Sequence, residues 1–222
     1  MLDSGLVKKT EEFLKRKFDA AIYLNEHPYD KAYRIEHSYR VANIGLEIAK
    51  KEGFDETETV IACLLHDVSY CEEFGDDGWK NHGRRSAVIA RPFLMELGIP
   101  EERVNDICYG IAIHVDDEAD FAGERTPFAL TVGDADNIDR FDAYRIYESL
   151  TSDRFLEKSL EEKNEYTKMR LAKLKKLADM PMGTATAEKL WRARIAFYIE
   201  FYDKRAGQIR SSKSVADRQI MS

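Results

Sequence analysis

The stretch DETETVIACLLHD, from Asp55 to Asp67, decides how this chain is read. Its apolar run, Val60-Ile61-Ala62-Cys63-Leu64-Leu65, is unbroken and leads straight into His66 and Asp67. Asp55 or Thr57 suits a helix N-terminus, so the stretch predicts a helix over 56–68. A helix that is apolar on every side belongs in the interior. His66 and Asp67 should therefore emerge from a buried helix. An ionised aspartate there needs a cation or hydrogen bonds to offset its lost hydration. A metal ion would supply that compensation.

Working outward, the same plan occurs twice. Helices over 36–51 and 56–68 flank Gly53, and helices over 84–97 and 101–114 flank Gly98-Ile99-Pro100. His37 stands 16 residues before Gly53, and His66 stands 13 after it. His82 stands 16 residues before Gly98, and His114 stands 16 after it. A short connection makes two helices antiparallel neighbours. At ~1.5 Å of rise per residue, the chain returns to about the level at which it started. The open end of each hairpin should thus bring its two histidines together. Two such hairpins could gather four histidines around one point. His27, in His27-Pro28-Tyr29, lies outside this pattern and reads as an ordinary turn residue.

Helical periodicity runs through the remainder, with no convincing β alternation, and predicts an all-α fold. Further helices are expected over 6–24, over 127–149 with a bend, and as a charged pair over 153–178 and 186–207. Polar loops are expected over 72–83 and 116–125, the latter a solvated acidic loop. One domain over 1–210 would be followed by a flexible tail over 211–222. The aromatic stripe Trp191, Phe197, Tyr198, Phe201 and Tyr202 reads as core, or as the seam of a homodimer.

Composition narrows the function classes. The 222 residues are 44% hydrophobic and 34% charged, enough for a packed core. Lys+Arg number 34 against 41 Asp+Glu, a net charge of −7. That balance lacks the positive field that would hold long nucleic acid or an anionic membrane. No apolar run approaches the ~20 residues of a membrane span. Charges interrupt the N-terminal stretch MLDSGLVKKTEEFLKRKF where a signal peptide would be apolar. Three cysteines, Cys63, Cys71 and Cys108, form no zinc-like spacing and fit a reducing cytoplasm.

A second acidic cluster also follows an apolar run. Ala129-Leu130-Thr131-Val132-Gly133 leads into Asp134-Ala135-Asp136-Asn137-Ile138-Asp139-Arg140. On a helix, Asp134 and Asp136 face different ways, while Asp136, Asp139 and Arg140 share a face. One of Asp134 and Asp136 can point at a metal while the other braces a ligand histidine. The segment is no calcium loop, because it lacks Asp or Asn at 138 and Gly at 139.

His37, then His66-Asp67, then Asp136 resemble the signature of the HD-domain superfamily of metal-dependent phosphohydrolases. The local words agree: His37-Ser38-Tyr39-Arg40-Val41, Leu64-Leu65-His66-Asp67 and Asp134-Ala135-Asp136. The resemblance covers residues 36–145 and implies an HD-type helical bundle with additional C-terminal helices. Members with two further histidines between the His-Asp pair and the last Asp bind two metals, and His82 and His114 resemble those two. The implied ligands are His37, His66, Asp67 and Asp136 for one ion, with His82 and His114 for the other. Asp67 would bridge the ions and Asp134 would brace a ligand; these two acids are the candidate catalytic residues.

Imidazole and carboxylate ligands suit one or two divalent ions among Mn, Fe, Co, Ni, Zn and Mg, with no thiolate to select a softer metal. Such ions make water nucleophilic at neutral pH and neutralise charge on phosphoryl oxygens. The implied substrate is a small phosphorylated molecule, a nucleotide above all. Arg40, one turn from His37, Arg84, beside His82, and Arg140, one turn from Asp136, are the candidate substrate-binding residues. Two alternatives remain at this level: a di-iron oxygenase on the same scaffold, and a non-catalytic nucleotide-binding module.

Overall fold

The computed structural model describes residues 1–73 and 78–215. It is all-α: among the described residues every regular element is helical. The chain divides into two compact units, Met1–Asp139 with Met182–Glu188, and Arg140–Pro181 with the chain from Lys189.

The first unit contains α1 (Ser4–Ala20), α2 (Ile22–Glu26), α3 (Pro28–Glu52), α4 (Glu56–Leu65), α5 (His82–Glu96), α6 (Glu101–Ile113) and α7 (Pro127–Asp139). Helix α4 is its centre and packs against α1, α3, α6 and α7. Val60, Cys63 and Leu64 meet Val41 and Ala42 of α3 and Ala135 of α7. Ile61, Ala62 and Leu65 join a larger cluster with Leu14, Phe18, Leu94, Ile107 and Ile111. Each fully buried Leu, Ile or Val contributes about 1.5–3 kcal/mol, so the apolar run of α4 anchors both clusters. The two hairpins, α3–α4 and α5–α6, turn at Gly53 and Gly98, each with φ of 77°. That left-handed conformation favours glycine, which lets each helix stop sharply.

Several boundaries differ from the periodic reading, each for a local reason. The expected helix over 6–24 breaks at Ala21, whose ψ of 114° is extended. The Asn25 side chain closes that break by donating to the Asp19 carbonyl. Helix α3 begins at Pro28 rather than 36, because proline at the first helical position needs no N–H partner and has φ preset. Helix α4 is capped by Asp55, which accepts from Glu58 N, and it ends at Leu65. His66 and Asp67 therefore sit at its C-terminal end, followed by a 3-10 turn over Val68–Cys71. The expected loop over 72–83 contains a 3-10 turn, Gly78–Asn81, and α5 starts at His82; residues 74–77 lie outside the described residues.

The expected helix over 127–149 is two helices. Asp142 accepts from Ala143 N at 2.6 Å and starts α8 (Ala143–Ser152) afresh. The second unit holds α8, α9 (Leu160–Leu177) and most of α10 (Ala185–Ser211). Helix α9 starts at 160 rather than 153 because Ser159 and Glu162 form a reciprocal capping box. The aromatic stripe of α10 is core at Trp191, Tyr198 and Tyr202, while Phe197 is exposed. Phe141 packs edge-on against Trp191 at 4.9 Å and Tyr198 at 5.8 Å. Helix α10 runs to Ser211, and residues 216–222 of the expected tail lie outside the described residues. Among the described residues no helix is long and apolar enough to cross a membrane.

One polar clamp ties α9 of the second unit to the turn before it. Asp153 accepts from Tyr166 Oη at 2.6 Å and from Arg170 Nη2 at 2.8 Å. The hydrogen bond from Tyr166, with the Arg170 contact, holds the Asp153 carboxyl below its ordinary value of 3.8. A depressed carboxylate stabilises the fold above its unfolded pKa and stops doing so as the pH falls through the folded value. Asp153→Asn is therefore expected to lower Tm at neutral pH. Parallel melts of both proteins should show the gap closing as the pH drops below 3.8.

Candidate metal centre

The two hairpins bring their histidines together in pairs. Nε2 of His37 lies 3.2 Å from Nε2 of His66, and Nε2 of His82 lies 3.1 Å from Nε2 of His114. The His66 and His114 rings, at the ends of α4 and α6, are 5.0 Å apart and nearly perpendicular, which joins the pairs. Asp67 straddles them. Its Oδ2 is 3.7 Å from Nε2 of both His37 and His66, while its Oδ1 is 3.2 Å from His82 and 3.7 Å from His114. Asp136 approaches the first pair, its Oδ1 3.2 Å from His37 and 3.9 Å from His66. Two groups of side chains could each hold a metal ion: His37, His66 and Asp67, and Asp67, His82 and His114.

The outer ring nitrogens explain why the inner ones converge. Nδ1 of His66 faces the Cys63 carbonyl at 2.7 Å, and Nδ1 of His114 faces the Ile111 carbonyl at 2.7 Å. Nδ1 of His82 faces the Trp79 carbonyl. In each case the carbonyl belongs to the residue three positions earlier, where a helix or 3-10 turn is ending and leaves carbonyls without an intrahelical partner. A carbonyl oxygen only accepts, so in these rings Nδ1 carries the proton, and in the neutral ring Nε2 carries the lone pair. His37 lies inside α3, where no such carbonyl is free. Its Nδ1 instead contacts Asp139 Oδ2 at 2.7 Å, and Arg40 holds that carboxylate through Nε at 2.7 Å and Nη2 at 3.2 Å.

The inner face of the site is thus built from imidazole Nε2 atoms and carboxylate oxygens, donors that a cation can gather. Where both rings of a pair are neutral, lone pairs facing each other at 3.1–3.2 Å repel, and a cation among them removes that repulsion. Two or three neutral imidazoles with carboxylates are a donor set that suits a first-row divalent ion. The electrostatics differ from ring to ring: burial opposes charge on His114, but the Asp67 contact overcomes it and raises that pKa. Burial keeps His66 neutral, its pKa lowered to about 4. Burial also opposes charge on His37, but the Asp136 and Asp139 contacts overcome it and raise that pKa to about 9. Burial opposes ionisation of Asp67 as well, yet His66, His114, His82 and Arg34 hold its carboxyl well below the usual range.

Not every residue singled out in the sequence comes to this point. Asp134 does not brace a histidine: its Oδ2 accepts from Gly183 N at 2.8 Å, and burial pushes its carboxyl up to about 6. The reason is helical geometry, since Asp134 and Asp136 leave α7 on different sides. The bracing falls to Asp139, on the same face as Asp136. Arg40 is spent on Asp139 rather than presented to the histidines. Arg84 faces the acidic loop, with Nη1 3.0 Å from Asp116 and 3.5 Å from Glu118. Arg140 is exposed and begins the second unit. His27 lies outside the site, with Nδ1 on the Tyr23 carbonyl.

The sequence reading missed Arg34, whose Nη1 donates to Asp67 Oδ2 at 2.9 Å. It stands three positions before His37 and so shares its face, a relation that a helix starting at 36 does not contain.

Residues 34–143 of the chain match the HD domain family. Its fold is also that of a crystal structure described as a predicted HD superfamily hydrolase from an uncultured Thermotogales bacterium. The two chains are 20% identical, with a TM-score of 0.61 over 90% of this chain and 91% of that one. No curated protein matches the chain significantly.

The meeting of α5 and α6 at the second histidine pair depends on Gly83. A Cβ there would lie 2.6 Å from the Ala112 carbonyl and 3.0 Å from both His114 Nδ1 and the Ile111 carbonyl. Gly83→Ala should push against the bond that orients His114. Disturbing a partner that orients a metal ligand costs about 10–100-fold in metal affinity. Calorimetric Mn²⁺ titration is expected to show one of two binding steps weakened by that factor, with the step at His37 and His66 kept.

Proposed function

We propose that this chain is a metal-dependent phosphohydrolase acting on a small phosphorylated substrate, a nucleotide above all. The observation that carries the reading is Asp67, whose two oxygens each face a different histidine pair. His37, His66, Asp67 and Asp136 would hold one divalent ion, and Asp67, His82 and His114 a second. Bound there, the ions would lower the pKa of a water molecule and neutralise charge growing on phosphoryl oxygens.

The chain's own contribution is rigidity. His66 and Asp67 project from the end of the most buried helix, and carbonyls or Asp139 fix each imidazole before substrate arrives. Preset donors need little reorganisation during reaction, which is where most electrostatic catalysis comes from. The net charge of −7 supports a small substrate over a polynucleotide. The superfamily and the description of the Thermotogales protein as a hydrolase support hydrolysis; the nucleotide rests on the resemblance alone. Three free cysteines support a reducing cytoplasm as the place of action.

Phosphate or pyrophosphate release from a nucleotide panel with Mn²⁺ or Mg²⁺ tests the reading. Release is expected for at least one nucleotide, and Asp67→Ala should lower it on the order of 100- to 1,000-fold. No release from any substrate by cation-loaded protein would overturn the proposal.

A further inference from the structure

We propose that the indole of Trp79 is a stacking platform for the base of a nucleotide whose phosphate lies at the metal centre. The inference deepens the phosphohydrolase reading and rests on it for the substrate class. Trp79 belongs to the 3-10 turn Gly78–Asn81, just before α5. Its carbonyl accepts Nδ1–H of His82, the ring whose Nε2 lies 3.2 Å from Asp67 Oδ1. The backbone that carries the indole is thus fastened to the outer edge of a candidate metal ligand. The turn is held at its C-terminal end as well, where Asn81 Oδ1 accepts from Arg84 Nη2. The two tryptophans of the chain stand in opposite surroundings: Trp191 is fully buried, whereas Trp79 is 56% exposed.

Chemistry selects the ligand. Apolar ring surface left in water gains free energy from any flat group that covers it. Aromatic side chains border both histidine pairs: Tyr33 lies parallel to His37 at 5.7 Å, and Tyr70 lies 5.2 Å from His82. Tyr33 and Tyr70 are half-buried, so of these three rings Trp79 presents the most surface to a ligand. Lys80 Nζ is 5.7 Å from the indole centroid, which puts a positive charge beside the ring. Ring and cation together suit a flat group joined to an anion, and a nucleotide is both. Every nucleobase has a π face, so one indole favours a base-bearing phosphate over a bare sugar phosphate without selecting one base. A nucleoside monophosphate carries the base and a phosphoryl group whichever phosphate bond is cut, and so is the ligand to probe.

The test measures binding without turnover. Its ligands are the phosphonate isosteres of adenosine monophosphate, cytidine monophosphate and ribose phosphate, whose P–C bond resists hydrolysis. Wild type, Trp79→Ala and Trp79→Phe are loaded with Mn²⁺ and titrated by calorimetry, after Mn²⁺ affinity is measured for each. Loss of a stacked base predicts both nucleoside phosphonates bound about 5- to 150-fold weaker by Trp79→Ala. The ribose phosphonate should stay within about threefold of wild type, well under the loss of one stacked base. Trp79→Phe should recover part of the nucleoside affinity, since phenylalanine keeps a smaller π face. Both variants keep the carbonyl that holds His82, so Mn²⁺ affinity is expected to be unchanged. Wild-type tryptophan emission should change with the nucleoside phosphonates and not with the ribose phosphonate, because Trp191 is shielded in the core. Unchanged nucleoside affinity in Trp79→Ala would overturn the proposal, as would a wild type that binds base-bearing and base-free ligands equally, or neither. Equal losses for all three ligands would also overturn it, and would make Trp79 a support for its turn alone. The outcome is separable from the phosphohydrolase reading. A base preference that Trp79→Ala abolishes, beside a wild type that hydrolyses nothing, sustains Trp79 and sinks hydrolysis. Nucleotide hydrolysis with nucleoside affinity untouched by Trp79→Ala does the reverse.

Discussion

The site depends on fixed imidazole tautomers. Three of its four histidines donate Nδ1–H to the carbonyl three residues earlier, and the fourth is held by Asp139. Each ring is thereby turned so that Nε2 faces another Nε2 and a carboxylate oxygen. Backbone carbonyls left over at the ends of α4 and α6 do two jobs, since they satisfy their own need for a donor and aim the ring. The helix lengths are part of the site for that reason. Had α4 continued to 68, the Cys63 carbonyl would be engaged along the helix and His66 would lose its anchor.

Much of this was legible in the sequence, because the relevant signals are local. The apolar run from Val60 to Leu65 marked a buried helix, and the glycines at 53 and 98 marked the hairpin turns. Histidines at similar distances from those turns had to meet at the open ends. The pairs His37–His66 and His82–His114 are that geometry realised.

What the sequence concealed depends on side chains that override periodicity. Pro28 starts α3 early and so brings Arg34 into register with His37. Asp142 restarts the chain as α8 where the apolar pattern ran on. The choice among Asp134, Asp136 and Asp139 could not be read from spacing, because it turns on which partners α7 meets: Gly183 for Asp134, His37 for the other two. Arg40 stood at the right helical spacing for a substrate contact, but a nearer carboxylate, Asp139, claims it. A charged side chain beside a site is drawn first to the fixed acid it can reach.

The central claim is that these convergent lone pairs form two cation sites sharing Asp67. Its most direct test is the stoichiometry of Mn²⁺ binding, by calorimetry and elemental analysis of the same samples. The account predicts two ions per chain in the wild type, with one lost in a His82→Ala, His114→Ala double variant and the other in His37→Ala, His66→Ala. A wild type that binds no divalent ion, or that keeps both ions after all four histidines are replaced, would contradict it.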